Sequence, residues 1–237
     1  MGLLVIVACG GSERPVGEIL VSAAASLTDA FAESEAAFEA ANPEIDVLLN
    51  LGSSSSLREQ ILEGAPVDVF ASANPSNMTQ VIAAGATNQS TTFALNVLQI
   101  AVPAGNPAGI AGLADFATAE LLIGLCAAGA PCGDFGRRAL EAAGVIPSID
   151  TEEPDARALL TKIEAGELDA GIVYATDVLS SSAVDGIAIP EQFNVVAEYP
   201  IAVLTEAPNA GGAEAFVNFV LSEEGQAILQ RYGFEAP

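Results

Sequence analysis

Two serine-bearing segments hold the residues of this chain best placed to do chemistry: Ala24-Ala25-Ser26-Leu27-Thr28-Asp29 and Gly52-Ser53-Ser54-Ser55-Ser56-Leu57-Arg58-Glu59. Each lies between an apolar, strand-like run and an amphipathic helical pattern, so each reads as a strand-to-helix turn. The first amides of a helix have no partner inside it, and beside serine hydroxyls they form a cluster of donors at the positive end of the helix dipole. That chemistry suits an anion met by dipoles rather than by lysines. Ser26 with Asp29, and Ser56 with Glu59, also fit the spacing of helix caps. Ser26 as a plain cap, and the four serines as a surface loop, are therefore the structural alternatives.

Composition removes several other chemistries. The 237 residues carry 7 Lys plus Arg against 31 Asp plus Glu, a formal charge of -24, which repels a phosphate backbone and argues against nucleic acid. There is no histidine, so Ser-His-Asp and Cys-His nucleophiles and most catalytic zinc sites are excluded. The three cysteines are too few for a Cys-only zinc site. Most acids fall on helix surfaces, where a solvated face is the expected reading, and salt screens them from a ligand beyond about 8–10 Å. Net charge thus leaves the sign of the ligand open, and no catalytic residue, metal or cofactor is expected.

The elements that must position these turns alternate between strand and helix, which indicates an α/β fold. Hydrophobic residues make up 51% and aromatics 5%, so the core must be mostly small and aliphatic. Strands are expected at Ile19-Leu20-Val21, Ile45 to Leu51 and Val67 to Ala71, with helices after each, the first stopped by Asn42-Pro43. Such a series gives a mainly parallel sheet with right-handed crossovers, and ligands sit outside the carboxyl ends of such strands. Both serine turns occupy that position.

A second series runs through strands at Leu95 to Val102, Leu121 to Leu125, Ala170 to Tyr174 and Val195 to Leu204, with helices near 134–143 and 156–165. The two long strands are expected to cross between two lobes, and helices at 213–221 and 222–231 to return to the first. The expected division is a leader and tether over 1–17, one lobe from 18–94 plus 203–237, and a second from 95–202 that includes the crossing strands.

The start, Met1 to Ser12, is an apolar run too short to span a bilayer, and Ile6-Val7-Ala8-Cys9 matches a lipoprotein cleavage box that would make Cys9 a lipidated terminus. Cys126 and Cys132 are close enough in sequence for a small disulfide loop, which export would permit, the alternative being two reduced thiols. Asp155 and Arg157 either brace the turn at Ala156 or form a surface pair.

Taken in order, Ala23-Ala24-Ala25-Ser26-Leu27, Ser53-Ser54-Ser55-Ser56-Leu57, Gly64-Ala65-Pro66-Val67-Asp68-Val69-Phe70, Gly171-Ile172-Val173-Tyr174 and Arg231-Tyr232-Gly233-Phe234 resemble the molybdate-binding proteins of bacterial ABC importers, within the type II periplasmic-binding-protein fold. The resemblance covers nearly the whole chain after about Gly17. It implies a two-lobed receptor, each lobe a mainly parallel sheet flanked by helices, that holds molybdate or tungstate without any charged side chain. Carried over residue by residue, it implies that Ser26 and Ser54 donate from the first lobe. From the second it implies the backbone amides of Cys132 and Ala156 and the phenol of Tyr174. Tyr174 as a core-edge tyrosine is the structural alternative. The resemblance further implies a monomer outside the cytoplasm, a permease partner, and membrane contact only through the N-terminal lipid. Sulfate or another small oxyanion is the alternative ligand, and an enzyme or sensor on the same fold the alternative class.

Overall fold

The computed structural model describes residues 17–237; the N-terminal segment with Cys9 lies outside them. β1 (Glu18–Ala24) alternates so that Ile19, Val21 and Ala23 are fully buried, and it pairs in parallel with β2 (Asp46–Gly52) and β3 (Val69–Ala71). α1 (Thr28–Ala41) and α2 (Ser54–Leu62) are the crossovers, and α3 (Pro75–Ala83) follows β3. Parallel neighbours require such crossovers, and the helices cover the sheet with apolar faces: Ala30, Phe31 and Phe38 on α1, Leu57 and Ile61 on α2.

β4 (Thr91–Pro103) changes partners along its length. Up to Val97 it pairs with β9 (Val196–Val203), and from Leu98 onward with β7 (Ala170–Tyr174) and β8 (Val184–Ala188), all antiparallel. β9 in turn reaches β3 through Ile201 to Val203. Two strands thus connect the two groups, and the second is completed by β5 (Ile123–Cys126), which is parallel to both β6 (Thr151–Glu153) and β7. Its helices are α4 (Pro131–Ala142), α5 (Ala156–Glu164) and the short α6 (Ala175–Leu179). α7 (Ala210–Leu221) and α8 (Glu223–Arg231) pack back on α1, and α7 also on β1 and β9.

The few aromatics concentrate on one side. Phe31, Phe38 and Phe216 meet edge to face between α1 and α7, with ring centroids 5.3–5.9 Å apart. Tyr199 on β9 touches Phe93, Tyr174 and Phe234, so the chain of rings ends between the lobes. The second lobe packs aliphatics such as Leu125, Leu159, Ile163 and Ile172. There Gly124 lets α5 lie close, because a Cβ would stand 2.7 Å from Leu159 Cδ1.

Two expected caps are absent. The chain turns through a short 3-10 segment, Ala25–Leu27, before α1, and no side chain caps that helix; the Ser26 hydroxyl bonds Tyr199 instead. α2 starts three residues earlier than the Ser56–Glu59 spacing implied, so Ser56 lies within its first turn and Ser53 is the uncapped N-cap residue. β6, β8 and α6 add elements with weak patterns: β6 is Thr-Glu-Glu, β8 contains Asp185-Gly186, and α6 follows β7 without a loop.

Candidate functional site

The turns after β1 and β2, the start of α4, the start of α5 and the end of β7 close on one cavity. It is lined by Ser26, Ser54, Cys132, Ala156 and Tyr174 together with neighbours that include Ala24, Ser53, Ala73 and Asp155. Its volume, about 10 Å³ of space open to the centre of a water-sized sphere, is far below the range of sites for drug-sized molecules and suits a single small group. α5 touches the Ala25–Leu27 turn directly, so the two lobes meet around it.

On the first lobe, α2 begins at Ser54 with no side chain on its first amides. Leu57 N–H is the first to bond back, to Ser53 O at 3.0 Å, so the amides of residues 54–56 precede the helical ladder. Ser54 Oγ accepts the Ala73 N–H at 2.9 Å and is buried. With that lone pair held, the hydroxyl proton is turned away from Ala73 and is available to an acceptor. Ser26 stands opposite, its Oγ 2.8 Å from Tyr199 Oη.

On the second lobe, Pro131 occupies the first position of α4, which removes one amide and leaves Cys132 and Gly133 as the first N–H groups. A disulfide joins Cys126 at the end of β5 to Cys132, and Arg137 holds the same loop by donating to Cys126 O at 2.8 Å and Gly133 O at 3.1 Å. Gly133 is required there, because a Cβ would sit 2.1 Å from Ala127 O. At α5, Asp155 caps the helix by accepting Ala158 N–H at 2.9 Å, leaving the Ala156 and Arg157 amides ahead of the ladder. Asp155 and Arg157 are not a mutual pair: Arg157 reaches Asp29 on α1 and Ser180 Oγ.

Tyr174 ends β7 with its ring buried. Among the described residues, its Oη is the buried side-chain polar atom without a hydrogen-bond partner. An unpartnered buried hydroxyl costs about 1–3 kcal/mol, so its persistence at a cavity wall points to a ligand atom. Burial, with Tyr199 and Asp177 nearby, pushes its pKa well above the ordinary tyrosine value, so the phenol keeps its proton. Its backbone N–H is fixed by Asp177 Oδ2 at 3.0 Å. Asp177 is itself buried, and desolvation raises its pKa to about 7.

Among the described residues no lysine or arginine lines the cavity. The basic side chains of Arg58, Arg137, Arg157, Lys162 and Arg231 pair with carboxylates elsewhere, and Arg138 lies over the Phe135 ring. Asp155 is the lining carboxylate, and its side chain is turned to Ala158 N–H. Among the described residues no group of His, Cys, Asp and Glu is arranged to hold a metal. What the walls present is hydroxyls, amides and helix starts.

All five ligand residues expected from sequence line this one cavity, although they come from five separate stretches of chain. Sequence reasoning missed three contributors. The Ala73 amide that orients Ser54 carries no side-chain signal. Tyr199 lies in an apolar strand where an aromatic reads as core. Asn96, which bonds Thr176 and lies near Tyr199, is a polar residue within a long apolar run, and that was the available clue.

The family described as bacterial extracellular solute-binding protein matches residues 19–235. A protein of Mycobacterium tuberculosis named molybdate-binding protein ModA is 37% identical, over 98% of this chain and 93% of its own length. Among solved structures, the Azotobacter vinelandii periplasmic molybdate-binding protein superposes with a TM-score of 0.80 at 19% identity, covering 92% of this chain and 99% of that one. The sulfate-binding protein SubI from Mycobacterium tuberculosis superposes with a TM-score of 0.79 at 17% identity, covering 92% and 86%. These structures share the type II periplasmic-binding-protein fold with this chain, and the fold alone does not separate molybdate from sulfate.

Proposed function

Because this chain belongs to the bacterial extracellular solute-binding proteins, we propose that it captures molybdate or tungstate and delivers the ion to the permease of an ABC importer. The observation that carries the reading is the cavity itself, walled by donors from both lobes and, among the described residues, free of cationic side chains.

In this reading Ser26 and Ser54 donate from the first lobe, and the Cys132 amide, the Ala156 amide and the Tyr174 phenol donate from the second. Each hydrogen bond to a charged acceptor contributes about 1.5–3 kcal/mol net. Helix starts add roughly 0.3–1 kcal/mol each, and together these offset the ion's desolvation. A site of donors alone favours a fully deprotonated oxyanion, because an anion O–H would meet another donor. A cage sized for molybdate or tungstate holds the smaller sulfate with stretched bonds.

Closure follows from the same geometry. Lobe 1, residues 18–94 plus 203–237, and lobe 2, residues 95–202, would move about β4 and β9, and only the closed arrangement lets both contribute donors to one ion. The receptor would act outside the cytoplasm as a monomer, anchored through a lipidated Cys9, with no catalytic residue. Titration calorimetry with molybdate, tungstate and sulfate tests the reading. It predicts one ion per chain, with molybdate and tungstate bound well ahead of sulfate. Equal affinity for sulfate would move the assignment to a general small-oxyanion receptor.

A further inference from the structure

We infer that Tyr199, which does not line the cavity, is a positioning residue that makes Ser26 an obligate hydrogen-bond donor; this rests on the oxyanion function proposed above. Tyr199 is completely buried on β9, and burial holds its pKa far above the ordinary tyrosine value, so its one proton must find an acceptor inside the protein. Its oxygen makes two hydrogen-bond contacts, to Ser26 Oγ at 2.8 Å and Asn96 Nδ2 at 3.5 Å, with the Tyr174 hydroxyl as a further polar neighbour that meets no hydrogen-bond geometry.

The direction of these contacts is settled at Asn96. The side-chain oxygen of Asn96 accepts the Val97 N–H at 2.9 Å, and a backbone amide can only donate, so the other terminal atom is the NH₂ group. That group donates to Thr176 Oγ1 at 2.8 Å and, more weakly, faces Tyr199 Oη. Of the two groups in hydrogen-bond geometry with Tyr199, Ser26 Oγ is the one that can accept its proton. Were the bond reversed, with Ser26 donating to Tyr199, the buried phenol proton would have only the Tyr174 hydroxyl to turn to, and Tyr174 Oη forms no hydrogen bond in this structure.

With one lone pair taken by Tyr199, the Ser26 hydroxyl proton turns toward the cavity. A free serine rotates and serves as donor or acceptor; Ser26 held in this way serves as donor. The chain Thr176, Asn96, Tyr199, Ser26 also runs from α6, next to Tyr174, across both connecting strands to the first-lobe turn. The polarity of a first-lobe ligand group is therefore set by residues of the hinge, and those residues determine specificity without touching the ion.

The test is a double-mutant cycle of Tyr199→Phe and Ser26→Ala, read as affinities for molybdate and for mono-protonated arsenate, with thermal unfolding of each ligand-free variant as the folding control. Tyr199→Phe should weaken molybdate about ten-fold, the scale of one lost charge-assisted contact. It should weaken arsenate less or strengthen it, because a freed Ser26 accepts from the arsenate O–H. In the Ser26→Ala background the same change should alter neither. A purely packing role for Tyr199 would weaken both anions by one factor in both backgrounds, and that result overturns the inference alone. Failure of the wild-type protein to bind molybdate overturns the proposed function and this inference with it.

Discussion

Arg157 on α5 forms an ion pair with Asp29 on α1, joining the helices of the two lobes one residue beyond the Ala156 amide. The same guanidinium donates to Ser180 Oγ at 3.0 Å. Side chains that are 31% and 43% exposed hold such a pair in partly screened surroundings, where it contributes less than about 1 kcal/mol. In the proposed closure its role is geometric, because parting the lobes would break it. Arg157→Ala should leave the unfolding temperature nearly unchanged and raise the dissociation constant of the anion roughly three-fold, with the difference from wild type shrinking at high salt. Asp29→Asn should match it, and the double variant should add nothing.

Tyr174→Phe separates binding from stability. Removing a buried hydroxyl that has no partner should leave the ligand-free protein as stable or more stable by about 1 kcal/mol, while molybdate affinity falls ten-fold or more. Thermal unfolding with and without ligand reads both quantities. A ligand-free protein destabilised by several kcal/mol would mean that the hydroxyl has an internal role.

The Cys126–Cys132 bridge closes a short loop whose far end is the Cys132 amide. On loop length alone it contributes about 2 kcal/mol to folding. Reduction should lower stability by that order and weaken molybdate several-fold, because the amide must then be ordered on binding. Arg137 retains part of the loop, so reduction should not abolish binding. Calorimetry on reduced and oxidised protein checks this, and unchanged affinity would show that the bridge acts on stability only.

Asp177 gives the fold a pH dependence of defined sign. Desolvation raises its pKa from 3.8 to about 7, against the Tyr174 amide and Arg157, which favour the charge, while Asp155 and Asp29 oppose it. Between those values the folded state holds a proton that the unfolded chain has released. Its stabilising contribution is therefore complete at low pH and is lost as pH rises to about 7. Asp177→Asn keeps an oxygen for the Tyr174 N–H and removes the titration. The variant should gain stability over wild type at about pH 8, by at most ~4 kcal/mol, and little at about pH 4. An equal difference at both values would contradict the assignment.

The parts of this molecule legible in its sequence are those governed by local pattern. Ile19 to Val21, Asp46 to Leu51 and Ala170 to Tyr174 alternate or run apolar, and the first two lead into turns of small residues, so those strands and their cavity-facing turns are placed together by pattern. Capping at Ser26 and Ser56 was misread because the spacing rule is local, whereas the Ser26 hydroxyl is claimed by Tyr199, 173 positions away in sequence. Arg157 was ambiguous for the same reason: its partner Asp29 is 128 positions distant. β6 and β8 are strands by pairing rather than by composition, since Gly124 and Ile100 supply the neighbours that order them.

The most direct test of the central claim is crystallographic. A crystal grown with tungstate and measured at a tungsten absorption edge should show one strong anomalous peak per chain, within hydrogen-bonding reach of Ser26, Ser54, Tyr174 and the amides of Cys132 and Ala156, with no basic side chain in contact. A peak at another place on the molecule, or an ion held by lysine or arginine, would contradict the account.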